Sequence, residues 1–391
     1  MTAHDHCYST HDFADMTAAG ITVRTIKLGA DNTYWSEGQQ YYWGPPIPLG
    51  RTVSDMEMDF LGPIQQEIKR LSDDPSLLVV KQTADIHTAK QTGRLGIILS
   101  FEGGSLLKPP DLACQQENCD PKKCIVNLTR LHALGLRDFQ PYWGADNWLK
   151  AQHDISDPNW EHAGLNCYGR VLLEKSADLG IVTDLSHMGR VTFLEVINKI
   201  GPKQPFILSH AGVAAVSLCE RDKSECGTYK EWAKTLEKST VPLVDPPGGS
   251  MMLDENALKI VKEHHGVIAL HFLADYVSYN RRAQGQDVTL RDLVNEIDYI
   301  RSKCGIDCVA LGPDYLPASD PRPWVRGARD MTELRSVAIE MVVHTPRYSD
   351  PEIKQVLGRN LLRLYGCVWS PADCGTKVPQ GRSAPDINVR H

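Results

Sequence analysis

The chain has 391 residues, 42% hydrophobic and 23% charged, an ordinary globular balance with enough apolar material for a large core. A formal net charge of −7, with no basic run and no alternation of basic and aromatic residues, excludes a nucleic-acid footprint. No stretch approaches the roughly eighteen consecutive apolar residues that a membrane span needs, so no membrane partner is expected.

The opening MTAHDHCYSTHDF carries no apolar signal core, which makes the cytoplasm the default compartment. From there the pattern is a succession of apolar, β-branched runs. ITVRTIKLG (21–29) is strand-like, and LGIILSFEGG (95–104) is a buried strand ending in Gly-Gly. GLRDFQPYWG (135–144) follows the helical stretch CIVNLTRLHAL; then come IVTDLSH (181–187), QPFILSH (204–210), GVIALHF (266–272) and CVALGPD (308–314). YGRVLLEKSADLG, VTFLEVINKIG, DENALKIVKEHHG and LRDLVNEIDYIRSKCG fill the gaps with apolar residues at helical spacing, several closing on glycine.

Strands that alternate with helices imply a parallel sheet with crossover helices. Seven are visible, and a short eighth in the polar N terminus would close a (β/α)8, TIM-like α/β barrel. About 250 residues suffice for such a barrel. The expected organisation is therefore one barrel domain over 1–369, with insertions at about 104–123 and 219–250 and an irregular C-terminal tail over 370–391.

The eleven cysteines include Cys114, Cys119 and Cys124, spaced every five positions in CQQENCDPKKC, and Cys304 and Cys308 flanking a turn. None has the paired CxxC spacing of a zinc ribbon. Free thiols are the expectation, with a loop disulfide as the alternative. The sequon at Asn127 carries no weight without a signal peptide.

In such a barrel the C-terminal ends of the strands face the active site. Those ends carry Glu102, His187, His210 and Asp314. A single buried His is more often a hydrogen-bonded core residue than a ligand, but four such groups on one face would be costly to bury unpaired. Two imidazoles and a carboxylate suit a zinc-like ion with a fourth position open for water, and Asp314 is placed to act as general base and then general acid. His271 also ends a strand but is weighed mainly as a core residue, while the adjacent His264 and His265 are expected to be solvated in a turn.

The segment DIHTAKQTGRLGIILSFEGGSLL resembles the part of the membrane (renal) dipeptidase family that carries a metal-bridging glutamate in an E-G-G motif. LGIVTDLSHMG is similar to its L-I-D-L-(A/S)-H stretch, PFILSHAGVAAV to its P-V-I-F-S-H-S-x-A stretch, and IDYIRSKCGIDCVALGPDYL to its H-I-D-H-I…V-G-x-G-x-D-F segment. SDPEIKQVLGRNLLRLYG resembles the family's closing L-G-x-N-(L/F)-L-R-V-F run, so the likeness extends from about residue 16 to 366.

The resemblance implies a metal-dependent barrel hydrolase, usually dizinc, that cleaves dipeptides with a free C-terminal carboxylate. Carried over by position, Glu102 bridges two ions, His187 and His210 complete the second site, and Asp314 transfers protons. The family's first strand ends in D-G-H-x-D, whose His and Asp hold the first ion. Here the candidates are His4 and His6, an H-x-H pair, so the zinc count is two if they are ligands and one if they are not.

Two further positions depart from the family. Trp143 stands where the family has the His that polarises the scissile carbonyl, and an indole donates one hydrogen bond but cannot become cationic. The family's P-R-N segment is interrupted by the insertion at 219–250, leaving Arg221 as the nearest cation for a substrate carboxylate.

The expected function is thus a zinc-dependent, dipeptidase-type hydrolase in which metal-bound hydroxide attacks the amide carbonyl of a dipeptide or dipeptide-like small molecule. The alternatives are an amidohydrolase-like enzyme for a non-peptide amide, lactam or natural-product intermediate, and a non-catalytic barrel that binds a ligand or partner. A small-molecule substrate is the expected partner, and homodimerisation is left open.

Overall fold

The computed structural model describes residues 10–30, 33–36, 39–42, 61–103, 107, 120–141, 165, 167–188, 190–200, 204–217, 252–315, 323–344, 347–370 and 374. Seven parallel strands build its centre: β1 (Val23–Lys27), β2 (Leu95–Glu102), β3 (Leu136–Gln140), β4 (Val182–Thr183), β5 (Ile207–Val213), β6 (Val267–Leu270) and β7 (Val309–Leu311). Each lies beside the next in the chain. Val23 pairs with Gly96, Ser100 with Asp138, and Asp138 with Val182. A bridge from Asp184 to Ile207 carries the order across to β5, where Ile207 pairs with Val267 and Ile268 with Val309.

Sequential parallel pairing with helices in the connections is the topology of a TIM-type α/β barrel. The helices Val126–Leu134, Cys167–Asp178, Arg190–Glu195, Glu255–Glu263 and Leu290–Lys303 supply the crossovers where the periodicity placed them. Short strands Leu77–Val79 and Met252–Leu253 add parallel pairs to β2 and β5, and Gly29–Ala30, Thr33–Ser36 and Gln39–Tyr42 form a small antiparallel sheet.

The sequence left a short strand to be found in the polar N terminus. Among the described residues there is none: from Thr10 to Ala18 the chain is helical, and Phe13 and Met16, one turn apart, are buried in the core. Residues 1–9 lie outside the described residues, as do nearly all of 104–119, all of 218–251 and all but Ser370 and Cys374 of the tail.

The barrel is filled in layers. Val23, Ile98, Val182, Ile207, Val267, Ala269 and Ala310 pack together at its N-terminal end, and helix Asn360–Trp369 closes that end with Leu361, Leu364, Tyr365 and Val368. Those four fall at i, i+3, i+4 and i+7, one apolar stripe of a helix. Asn360 fixes the helix start by donating to the carbonyls of Ile306 (2.7 Å) and Val309 (2.8 Å). Tyr365 reaches inward, its hydroxyl 3.1 Å from Thr25 Oγ1 and 3.3 Å from Asp138 Oδ2.

The cysteines depart from the free-thiol expectation. Cys304–Cys308 and Cys367–Cys374 are disulfides, with Cα separations of 6.0 and 4.5 Å that lie within the span such a bond bridges. The first staples the turn between helix Leu290–Lys303 and β7. The turn that put two cysteines four residues apart also brought them into bonding range. Cys124 and Cys167 are disulfide-bonded as well.

Glu296, fully buried in helix Leu290–Lys303, accepts a 2.8 Å hydrogen bond from the Val213 N–H and so pins the end of β5. Burial holds its carboxyl well above the ordinary 4.5. The folded chain therefore keeps this proton after the unfolded chain has lost it, and stability falls as pH rises from about 4.5 until the raised value is passed, by about 1.4 kcal/mol per unit. Glu296→Gln is expected to remove that part of the slope, measured as the difference between the two chains' urea midpoints at pH 5 and pH 8. Parallel pH profiles would show that the proton is not held.

Candidate metal centre

Parallel strands deliver their C-terminal ends to one face, and three donors meet there. Glu102 is the last residue of β2, His187 follows β4, and His210 lies in β5. His187 Nε2 and His210 Nε2 are 2.8 Å apart, and Glu102 Oε1 is 3.5 Å from the first and 3.8 Å from the second. One ligand atom from each residue falls within a 4.8 Å cluster. Glu102 and His210 are buried, while His187 is 21% exposed and so forms the solvent-facing side.

The Ser-His pairs share a scaffold. Asp184 Oδ1 accepts from the backbone N–H of Ser186 (3.0 Å) and of Ser209 (3.1 Å), the residues before the two histidines. Ser209 N–H also donates to Ser186 Oγ at 2.8 Å, and Ser209 Oγ lies 3.0 Å from His210 Nδ1. When Nδ1 is the protonated nitrogen of His210, its Nε2 presents a lone pair toward His187. Gln140 Nε2 donates to Glu102 Oε1 at 2.7 Å and orients the carboxylate. Burial, more than offsetting the attraction of Glu102, Asp314 and Asp184, lowers the pKa of His187 and favours its neutral, ligating form.

Asp314 sits beside this cluster, and its Oδ2 is 2.9 Å from His271 Nε2. Leu273 N–H donates to His271 Nδ1 at 2.9 Å, which leaves the proton on Nε2, facing Asp314. The His271 ring stacks on Tyr276 with centroids 4.5 Å apart and meets His210 edge-on at 5.8 Å. His271, read from sequence mainly as a core residue, is thus in direct contact with the candidate proton carrier.

His187 and Asp314 both have positive φ, 59° and 56°. A non-glycine residue in that region costs about 1–3 kcal/mol and persists only where its surroundings impose it. Gly312 shows why the chain carries glycine between β7 and this bend: a Cβ there would lie 1.8 Å from the Ser209 carbonyl oxygen. His264 is half-buried near Phe206 rather than solvated, because the turn folds its ring back onto the barrel wall. His4, His6, Trp143 and Arg221 lie outside the described residues.

One layer deeper is a charged group that the strand-end reading passed over. Lys27, fully buried, places Nζ 2.8 Å from Asp184 Oδ2 and 3.3 Å from Asp138 Oδ1. Ser100 Oγ donates to Asp138 as well. Burial alone would lower the pKa of Lys27, but Asp184, Asp138 and Glu102 outweigh it and the net shift is upward. The signal was present as a charge inside each apolar run: TIKL, RDFQ and VTDLS.

Two imidazoles and a buried carboxylate converging from strand ends match the three-ligand donor set of catalytic zinc-type sites, so these residues fit a divalent ion. Fold and donor set together define a barrel protein equipped to hold a divalent ion at its strand ends. The chain belongs to the membrane dipeptidase family, peptidase family M19, whose model matches residues 65–223 and 250–372. It is a hydrolytic enzyme of that family.

A similar curated protein is the dipeptidase aclJ of Aspergillus oryzae, 22% identical over 370 residues that cover 94% of this chain and 72% of that protein. Among solved structures, an amidohydrolase from Pseudomonas aeruginosa matches with a TM-score of 0.64 at 17% identity, covering 94% of this chain and 96% of the other. A metallopeptidase from Rhodobacter sphaeroides, solved with a phosphinate mimic of the dipeptide L-Ala-D-Ala, matches with a TM-score of 0.56 at 18% identity, covering 79% and 73%. At such identities the two structures establish the shared fold.

Asp184→Ala is expected to destabilise the fold by about 3–5 kcal/mol, because it leaves Lys27 buried against one carboxylate. It should also release both Ser-His segments. Urea unfolding measures the first effect and histidine-ring NMR the second; sharp, unshifted His187 and His210 signals would disprove the shared scaffold.

Proposed function

We propose that the chain hydrolyses the amide bond of a dipeptide or dipeptide-like small molecule, with zinc held by Glu102, His187 and His210 and with Asp314 carrying the proton. The observation that supports this is the convergence of those three donors within 4.8 Å beside an Asp314 that is already paired with His271. The ion, when bound, supplies Lewis acidity and lowers the pKa of a water molecule.

The chain's own groups do the rest. Asp314 takes a proton from the attacking water and returns it to the amine nitrogen as the C–N bond breaks. His271 Nε2–H holds one Asp314 oxygen, so the carboxylate meets the substrate in a fixed orientation. Trp143 and Arg221 are proposed to contact the substrate, the indole as a hydrogen-bond donor and the guanidinium as a partner for a terminal carboxylate.

Removal of metal by a chelator is expected to abolish hydrolysis of a dipeptide panel, and zinc to restore it. His187→Ala or His210→Ala should lower turnover by more than about 100-fold, beyond what loss of an outer-sphere contact costs. Undiminished turnover in either variant would remove that residue from the centre. A panel of lactams and acyl amides run beside the dipeptides tests the second reading, which Trp143 favours because it replaces a cationic carbonyl-polarising group with a neutral one. The phosphinate mimic bound by the Rhodobacter sphaeroides neighbour is a suitable inhibitor probe for the peptide reading.

No described helix is long and apolar enough to cross a membrane. The sequence default for compartment is the cytoplasm, and the disulfides weigh toward an oxidising one. With six cysteines bonded among the described residues, no more than five of the eleven thiols should titrate in the denatured, unreduced protein. Eleven would restore the cytoplasmic reading in full.

A further inference from the structure

The His271 ring, which holds Asp314, is itself held by aromatic neighbours. Tyr276 stacks on it with centroids 4.5 Å and planes 20° apart, and Trp324 lies nearly parallel to it, at 6.4 Å and 18°. Both distances fall in the range of offset aromatic stacking. Trp324 also meets Tyr315, the residue after Asp314, edge-on at 5.2 Å. Tyr315 is buried, and its hydroxyl donates to the Ala328 carbonyl at 2.7 Å. One indole therefore touches both the ring that binds Asp314 and the ring of the next residue along the chain.

Backbone pairing places that indole. Trp324 bridges antiparallel to Leu273, Val325 N–H donates to the Phe272 carbonyl (3.0 Å), and Ala274 N–H donates to the Pro323 carbonyl (2.9 Å). His271 N–H is tied in turn to β5 through the Ala211 carbonyl (3.0 Å). Tyr276 comes close because β5 carries glycine there: a Cβ on Gly212 would lie 2.8 Å from the Tyr276 carbonyl oxygen. Within this frame the bond from Leu273 N–H sets the tautomer of His271. Hydrogen bonds at the ring's edges restrain its tilt only weakly, since such a bond keeps most of its strength over about 30° of bend. Rings packed parallel to its plane restrain the tilt strongly.

We propose that Trp324 and Tyr276 are positioning residues: by stacking on His271 they fix the plane of its Nε2–H donor, and so the direction in which Asp314 presents its carboxylate. The inference rests on the reading of Asp314 as proton carrier and adds the residues that aim it. A donor that rocks lets the carboxylate rock with it, and a misplacement of about 1 Å can cost about 100-fold in rate. The loss falls on the transition state and not on substrate binding, so kcat carries it and KM does not.

Trp324→Leu in the zinc-loaded full chain should lower kcat on a hydrolysed dipeptide at least about tenfold, with KM within about twofold and zinc content unchanged. Trp324→Phe keeps a flat ring and should recover most of that loss. A raised KM at unchanged kcat would make the indole a substrate contact and overturn the proposal, as would equal losses in the Leu and Phe variants. A wild type that hydrolyses nothing in the dipeptide, lactam and acyl-amide panels overturns both readings. Wild-type turnover with undiminished kcat in Trp324→Leu overturns this one alone.

A second readout needs no substrate. The His271 Nε2–H proton, held against Asp314, should give a downfield proton resonance in the metal-free full chain, assigned by its absence from His271→Asn. It should persist in Trp324→Phe and broaden by exchange with water in Trp324→Leu. An unchanged resonance in a folded Trp324→Leu would overturn the role of the stack. Should that variant not fold, Tyr276→Leu puts the same question to the other ring, with the same two readouts and the same outcomes.

Discussion

The carboxylate of Asp184 is the constraint through which the barrel interior and the candidate metal centre are joined. Its Oδ2 meets the Lys27 ammonium from β1, and its Oδ1 receives two backbone N–H groups, one ahead of each candidate histidine ligand. A buried ion pair costs much of what it returns, and its stability depends on the remaining lone pairs being satisfied. Here they are satisfied by the backbone of the segments that must be held still. The repeated Ser-His is the sequence trace of that arrangement, with two strand ends hung from one acid.

Much of this was open to reading from sequence, and the rest was hidden for physical reasons. The apolar runs and helical spacings placed the seven central parallel strands and their crossovers, though not the five shorter strands, because a parallel sheet covered by helices needs apolar runs of that kind. Strand ends identified Glu102, His187, His210 and Asp314, which the structure brings to one face. His271 carried the same signal, yet its meaning depends on a contact with Asp314, 43 positions away, that no local pattern encodes. Lys27, Asp138 and Asp184 were visible as charges in apolar strands. Their pairing was not, since it requires the register of three strands at once.

The cysteines carry a related lesson. Spacing excluded a zinc ribbon, but it cannot say whether two thiols face one another. That is decided by the 3-10 turn Ile306–Cys308, which returns the chain toward the end of the preceding helix. The N-terminal helix is a similar case. Its polar composition hid Phe13 and Met16, whose one-turn spacing is enough to bury one face of a short helix against the barrel.

Closure by helix Asn360–Trp369 has a consequence for how the molecule comes into being. Tyr365 contacts Thr25 across 340 positions, so the inner layer of the barrel meets its last partner only when almost the whole described chain has been synthesised. Contacts of such long range are slow to form because loop-closure entropy is spent before they give anything back. Until then the apolar floor lined by Val23, Ile98 and Val182 faces water, and the nascent protein presents a greasy opening to whatever is near.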